Sequence, residues 1–441
     1  MTAAVTPTRP SSTPVPPART PDSRRKFQLT EFGGNHNKWW QVEVWDLGGG
    51  AVHMHTTWGR VGATPQSKDR LCGEVEVQRT IQDKKAKGYQ ELDLHTPRVG
   101  TPAALPAGGG PAATPDLPRK VVELLDLIFK EAGERIASYL AVAVDALSQA
   151  QIRRARDLLG QAARRYQIWQ QSRSRADFAT LVASVNAYYN TIPTQLPRNL
   201  RDPQVMEKVV ASFCGDLSEQ ETRLNQLEAA LATYTAQPSA GATIPSPYDL
   251  LGARISLLPE KDEAYAQIVQ FLGRTSCHGY TVRVRDIFEI EVPSERAAFT
   301  ANTFGRNLVL RLTHGTNNAN VRHILHEHGV ESGLRLPRTY THGWMFGPGI
   351  YFANVASKSA QYCRGRSGSP RMMFLADVAV GTMYMAPEAT STTRAAPKGY
   401  HSVLGKAHHT RSWGGTLAHD EFIVYRPEQQ TLRYLVTWDS Q

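Results

Sequence analysis

Large apolar and polar residues alternate through Trp39-Trp-Gln-Val-Glu-Val-Trp45, break at Gly48-Gly-Gly50, and alternate again from Ala51 to Trp58. A period of two on both sides of a glycine turn predicts a β-hairpin. The period turns helical from Val77 to Lys87, ahead of Gly88-Tyr89, so residues 26–95 predict a small α+β module. From Pro118 to Tyr234 the spacing is helical. Val121, Leu124, Leu125, Ile128 and Ala132 share one face, and Leu224, Leu227, Leu231 and Tyr234 repeat the stripe. Ser148 with Gln151, and Ser218 with Glu221, fit the capping box. Asp202-Pro203 reads as an N-cap followed by proline in the first turn. Residues 118–240 therefore predict an all-α bundle. Beyond Pro247 short strands at Leu308–Leu312, Gly349–Phe352, Met372–Val380, Glu421–Tyr425 and Arg433–Thr437 alternate with helices at Asn320–His328 and Ser357–Cys363. Residues 246–441 read as a mostly antiparallel α+β domain. The fold class is multidomain α+β.

Composition adds the connections. Residues 1–25 hold six prolines and five threonines and almost no large apolar side chain. Such a segment cannot offset its ordering entropy and reads as a disordered tail. Residues 96–117 are rich in Pro, Gly and Ala and read as a flexible linker, and a weaker break follows at 237–247. The 41% hydrophobic share of the 441 residues supplies real cores. Four cysteines (Cys72, Cys214, Cys277, Cys363) lie far apart with no CxxC pair. That spacing excludes a disulfide scaffold and the common cysteine zinc sites. No run approaches the roughly 18 apolar residues of a spanning helix; the best, Ile136 to Val144, is interrupted by Ser138 and Tyr139. No apolar secretory core appears at the N-terminus. A soluble, intracellular protein with no membrane partner is expected.

The net charge is +10, which favours polyanionic partners. Its distribution changes that picture. Residues 26–95 carry nine Lys/Arg and nine Asp/Glu, so a nucleic-acid contact there depends on local placement of Arg60, Lys68, Arg70 and Lys84-Lys85-Ala86-Lys87. The Arg-dense stretch from Arg153 to Arg175 reads as a solvated helix face. His323-Ile-Leu-His326-Glu-His328 is not HExxH and reads as solvated helix histidines rather than metal ligands. GxGxxG and GxxxxGK[ST] are both absent, so neither a Rossmann dinucleotide site nor a phosphate loop is encoded.

The informative residues lie in the last 130. His314-Gly315-Thr316 follows a strand, Gly347-Pro-Gly-Ile-Tyr351-Phe-Ala-Asn forms another, and Ser359 and Tyr362 stand three apart on the next helix. Glu421 opens the strand Glu-Phe-Ile-Val-Tyr425. With Gly343-Trp-Met-Phe ahead of Gly347, Ser357-Lys-Ser-Ala-Gln-Tyr362-Cys, and Pro397-Lys-Gly-Tyr-His-Ser402, these motifs closely resemble the catalytic domain of the poly(ADP-ribose) polymerases. Leu117 to Tyr234, including Tyr188-Tyr-Asn-Thr-Ile-Pro193, is similar to the family's helical regulatory domain. Trp58-Gly59-Arg60-Val-Gly62 is similar to its WGR module. The order resembles the shorter, DNA-dependent members without N-terminal zinc fingers.

The resemblance implies residue roles. NAD would be a consumed substrate, cleaved at the nicotinamide–ribose bond, with no cofactor and no metal. His314 would hold the adenosine ribose, and Gly315 and Ser359 the carboxamide. Tyr351 and Tyr362 would sandwich the nicotinamide, and Arg335 would meet the adenosine end. Glu421 would hydrogen-bond the nicotinamide ribose, stabilise developing positive charge and orient the acceptor. Trp58 and Arg60 would contact damaged DNA. The implied activity is DNA-break-stimulated transfer of ADP-ribose to proteins, including itself, with chain elongation. A mono-ADP-ribosyltransferase and a catalytically idle DNA-end adaptor are the alternatives. The location would be nuclear in a eukaryote, or cytoplasm and nucleoid in a bacterium. Two departures stand out: residues 403–420 leave little room for the family's long acceptor-side loop, and Pro348 stands where well-known members have Lys.

Overall fold

A computed structural model describes residues 19–92, 117–142, 144, 147–235, 248, 251–279, 281–326, 345–412 and 414–440. The tail up to residue 18, most of the 96–117 linker and the break at 237–247 lie outside them. The chain divides into two compact units, one of Met1–Thr101, Leu140–Ala155 and Val182–Val210, the other of Pro102–Tyr139, Arg156–Leu181 and Ala211–Gln441. The helical segment is thus shared between both.

In the first unit β1 (Ser23–Glu31), β2 (His36–Gly48), β3 (Ala51–Arg60), β4 (Gln66–Gly73) and β5 (Gln90–Leu92) form an antiparallel sheet in the order β4-β3-β2-β1-β5. The hairpin predicted from the alternation is β2–β3, with Trp40 opposite Trp58. Its turn needs glycine: Gly48, Gly49 and Gly50 all have positive φ, where a Cβ is strained. Helix α1 (Glu74–Ala86) sends Val77 and Ile81 into a core with Phe27, Trp40, Val42, Val44, Val52 and Met54. Each such side chain contributes about 1.5–3 kcal/mol on burial. Ser23–Arg25, assigned to the tail for want of apolar residues, begin β1 instead. Their order comes from backbone pairing with Glu43 and Val44 of β2 rather than from hydrophobicity.

Five long helices follow: α2 (Arg119–Tyr139), α3 (Gln149–Ser172), α4 (Arg175–Thr191), α5 (Pro203–Gly215) and α6 (Leu217–Thr235). The capping box at α3 is reciprocal. Gln151 N–H donates to Ser148 Oγ (3.1 Å) and Ser148 N–H to Gln151 Oε1 (2.9 Å). Asp202 caps α5 through Gln204 N–H at 2.9 Å. The box expected at Ser218 is displaced: Asp216 accepts the Glu219 N–H at 2.9 Å and α6 starts at Leu217, so Ser218 already lies inside the helix. A carboxylate two residues earlier is as good a cap as a serine hydroxyl. Most of the arginines from Arg153 to Arg175 are exposed, as a solvated face requires; Arg156 is drawn in by Asn225 and Glu228.

The second unit carries two sheets. The larger runs β6 (Arg254–Leu257), β7 (Val282–Glu291), β16 (Gln430–Ser440), β10 (Arg371–Ala379), β8 (Val309–Gly315), all antiparallel. The smaller runs β11 (Met383–Met385), β12 (Ser402–Gly405), β15 (Glu421–Val424), β9 (Ile350–Phe352), antiparallel except β11–β12. A two-strand ribbon, β13 (Arg411–Ser412) and β14 (Gly415–Thr416), stands before β15. Helices α7 (Glu263–Arg274), α8 (Pro293–Ala301), α9 (Asn318–Leu325) and α10 (Ala356–Ala360) lie among them. Eight of the nine residues of the predicted Met372–Val380 strand are buried, Asp377 being the exception, because β10 is central and covered on both faces.

One core runs from α2 into the larger sheet, joining Val121, Leu124, Leu125 and Ile128 to Phe288, Leu312, Val321, Phe374 and Leu435. The α2–α9 seam is sealed by Arg322 over the Phe129 ring at 4.6 Å, and the loop after α10 joins α2 through Arg366 N–H donating to buried Glu131 at 3.1 Å. That seam corrects the histidine reading. His323 in α9 and His326 at its C-cap are buried, at 7% and 4% exposure, because the helix is covered by others. Helix α9 ends at Leu325; His328 lies outside the described residues.

Candidate active site

The site forms where the two sheets meet. Thr313 and Ala353 bridge them, exchanging N–H···O bonds of 2.8 and 3.0 Å. This places His314-Gly315 at the end of β8 beside β9, and β9 beside β15, with Tyr351 opposite Ile423 and Phe352 opposite Phe422. Helix α10 crosses this junction.

The crossing is close. An added Cβ on Gly315 would fall 1.8 Å from the Ser359 carbonyl oxygen and 2.6 Å from its carbon. Only glycine lets strand and helix backbones approach in this way. Beneath them Thr313 Oγ1 donates to Ala353 O (2.9 Å) and stands 2.8 Å from Ser359 Oγ. Since the Thr313 proton is committed, Ser359 is the donor in that pair.

His314 Nδ1–H donates to the Tyr351 carbonyl at 2.9 Å. Burial holds the imidazole below its usual pKa, with the carbonyl bond opposing. A neutral ring protonated at Nδ1 offers Nε2 as an acceptor, which suits a hydroxyl. The Tyr351 hydroxyl accepts the Phe346 N–H (3.0 Å) and donates to Gly347 O (2.6 Å), while Tyr425 donates to Phe346 O (2.6 Å). Two phenols thus clamp the turn before β9. Burial is the main reason both phenols titrate far above their ordinary value. Tyr362 differs: its side chain is 58% exposed, so its ring is open for stacking, and burial of its remainder, then the Glu421 charge, raises its pKa.

Glu421 is 5% exposed at the head of β15, with Gly405 of β12 on one side. Its carboxylate is paired with the Lys358 ammonium from α10, which is itself largely buried. A buried carboxylate needs such a counter-ion. Sequence reasoning singled out the neighbours of Lys358 but not Lys358. Its signal lay inside Ser357-Lys-Ser359, yet its partner is 63 positions away. Thr313 and Tyr425 were missed likewise.

The structure therefore brings His314, Gly315, Tyr351, Ser359 and Glu421 to one junction, and Tyr351, Tyr362 and Glu421 act on one another electrostatically. Arg335 lies outside the described residues. Trp58 and Arg60 belong to the first unit. Trp58 borders an open groove with Trp39, Lys38 and Tyr89. The Arg60 guanidinium on that groove is held by carbonyls, at 3.1 Å to Asn35, 3.2 Å to Pro197 and 2.9 Å to Arg198. It ties the sheet to the helical segment. Beside it Asn190 exchanges two bonds with the Thr30 backbone, 2.6 and 3.0 Å.

A mixed α+β domain with a glycine-tight strand–helix crossing, a clamped tyrosine and a lysine-paired glutamate defines the class. Residues 262–440 match the family model described as the poly(ADP-ribose) polymerase catalytic domain, and residues 23–95 match the WGR domain. Among curated relatives, poly [ADP-ribose] polymerase 1 of Xenopus laevis is 27% identical over 94% of this chain and 44% of its own length. Poly [ADP-ribose] polymerase 2 of Homo sapiens is 30% identical over 58% of this chain and 47% of its own. Poly [ADP-ribose] polymerase 1 of Danio rerio is 31% identical over 43% and 21%. The chain spans less than half the length of these relatives. It carries a poly(ADP-ribose) polymerase catalytic domain behind a WGR domain. Among the described residues, no helix is long and apolar enough to cross a membrane.

Proposed function

We propose that the protein is an ADP-ribosyltransferase that consumes NAD, is stimulated by DNA breaks, and builds poly(ADP-ribose) on itself and nearby proteins. The observation that carries this reading is the buried Glu421, held by Lys358 at the same junction as the Gly315–Ser359 crossing. The open Tyr362 ring and the Tyr351 ring would take the two faces of nicotinamide. The Gly315 backbone and Ser359 hydroxyl would fix the carboxamide, and neutral His314 would accept from a ribose hydroxyl.

The transition state of nicotinamide loss is oxocarbenium-like and gains positive charge on the ribose. A preorganised carboxylate facing that charge lowers the barrier without reorganising. Glu421 would supply it while accepting from the ribose hydroxyl, and Lys358 would keep the carboxylate aimed. Trp58 and the groove beside it would meet DNA ends. Arg60, joining that groove to the segment at Pro197–Arg198, supports a path by which a bound break biases the helical segment. Residues 118–240 would then be the regulatory domain and 246–441 the catalytic domain. Nuclear or nucleoid residence would follow from the DNA partner.

The test is to incubate the purified chain with labelled NAD, with and without nicked DNA. Stimulated labelling that migrates as a ladder is expected. Equal labelling in both tubes refutes the DNA switch, and a single unladdered product favours mono-transfer, which the short 403–420 segment would suit. Glu421→Gln is expected to abolish ladders while NAD binding persists. Wild-type polymer length in that variant would refute the role given to Glu421.

A further inference from the structure

The cysteine spacing in sequence gives no zinc signature, yet the fold assembles three ligating side chains from segments 141 residues apart. One ligand atom from each of Cys277, His278 and His419 lies within 4.8 Å of the other two. His278 and His419 approach Nε2 to Nε2 at 3.0 Å, with ring centres 4.5 Å apart and planes inclined by 60°. Two imidazole nitrogens at that separation require a proton or a cation between them. In a tetrahedral zinc site with Zn–N of about 2.0–2.1 Å, two nitrogens stand about 3.3 Å apart. The observed spacing is within a few tenths of that.

The surroundings fit a ligand pair as well. Ser357 Oγ donates to the Thr275 carbonyl at 3.2 Å and accepts the Cys277 N–H at 2.9 Å. It therefore serves as acceptor for His278 Nδ1–H at 2.7 Å. An outer hydrogen bond of that kind fixes the tautomer of a metal-bound histidine, here leaving the Nε2 lone pair aimed at His419. Cys277 is the exposed one among the four cysteines, and its Sγ stands 3.8 Å from His278 Nδ1.

We propose that Cys277, His278 and His419 form a binding site for a zinc-class divalent metal ion, with three protein ligands and one open position. Binding expels the Cys277 thiol proton to solvent, and both imidazoles ligate in their neutral form. The ion would fasten the loop after α7 to the segment two residues before Glu421. It would also place positive charge near Lys358 and Glu421, on the side where the proposed transfer develops a cation, so loading should slow turnover. The metal site stands apart from the transferase reading, because binding is scored without NAD.

The experiment titrates the full chain with Co²⁺, followed by the thiolate-to-cobalt charge-transfer band and the ligand-field bands of a tetrahedral site, and then displaces it with Zn²⁺. One equivalent is expected to bind. Cys277→Ser should lose the charge-transfer band, His419→Gln should weaken affinity at least tenfold, and Cys72→Ser should leave both unchanged. No tetrahedral spectrum, or an unaltered one in Cys277→Ser or His419→Gln, overturns the proposal. Zn²⁺ should slow labelled-NAD turnover in the parent chain and not in Cys277→Ser; equal rates would overturn the inhibitory half alone. Failure of all metal binding with intact turnover would sink the metal site and leave the transferase reading standing.

Discussion

Replacing Gly315 with alanine adds one carbon, and the structure says where it must go. That carbon would stand 1.8 Å from the Ser359 carbonyl oxygen, whereas ordinary contact begins at 3.4 Å. Strand and helix must therefore separate by about 1.6 Å. The obstructing atoms are backbone, so no rotamer change relieves them. Overpacking of this kind costs about 1–3 kcal/mol of stability. The chemical penalty should be larger, since a misplacement of about 1 Å at a reacting site costs about 100-fold. Ser359 and Lys358 ride on the displaced helix, so carboxamide grip and the Glu421 counter-ion move together. We expect kcat/KM for NAD to fall about 100-fold or more while the chain stays folded, measured by labelled-NAD kinetics beside a thermal melt. Gly273→Ala provides the matched control. It is the same chemical change inside a helix, with nothing within 4 Å of the new carbon, and should raise stability by about 0.5–1 kcal/mol. A Gly315→Ala enzyme with parental kcat/KM would refute the close crossing as the reason for glycine.

Lys358→Met strands the buried Glu421 carboxylate and should cost about 3–5 kcal/mol in denaturant unfolding; the double variant with Glu421→Gln should recover much of the stability and none of the activity. Asn190→Ala leaves the buried Thr30 N–H and C=O without their side-chain partner, and a loss of about 1–3 kcal/mol is expected; an unchanged unfolding midpoint would remove Asn190 from the β1–α4 junction. Burial, then the Arg24 charge, pushes Lys26 down to about 8 from 10.5, even with its ammonium 4.5 Å over Trp39. The unfolded chain then binds the extra proton between those values, so stability should rise as pH climbs from about 8 to 10.5. The gain is on the order of 3 kcal/mol at 1.36 kcal/mol per unit. Lys26→Met should flatten that rise, and an identical pH profile in both proteins would refute it.

Much of the fold was legible because local periodicity carries it. The β2–β3 alternation, the α2 stripe and the Ser148–Gln151 box depend on neighbours a few positions apart, and each appeared where the pattern placed it. The failures share one cause. Ser23–Arg25 gain order from pairing with β2, and His323 and His326 become buried because α2 covers α9. Neither partner is visible from the residues themselves. In the site, motif order singled out His314, Gly315, Tyr351, Ser359 and Glu421, but the ion pair that makes a buried Glu421 tenable joins segments 63 positions apart.

By itself the sequence determined which residues could do chemistry and which stretches would be helix or strand, since side-chain type and local period are written in the chain. Only the tertiary structure decided who faces whom. It set the approach of Gly315 to Ser359, the capture of Glu421 by Lys358, the commitment of Arg60 to three carbonyls, and the meeting of His278 with His419. Distance, burial and charge pairing are properties of folded neighbours, and the core that brings those neighbours together is built from residues hundreds of positions apart.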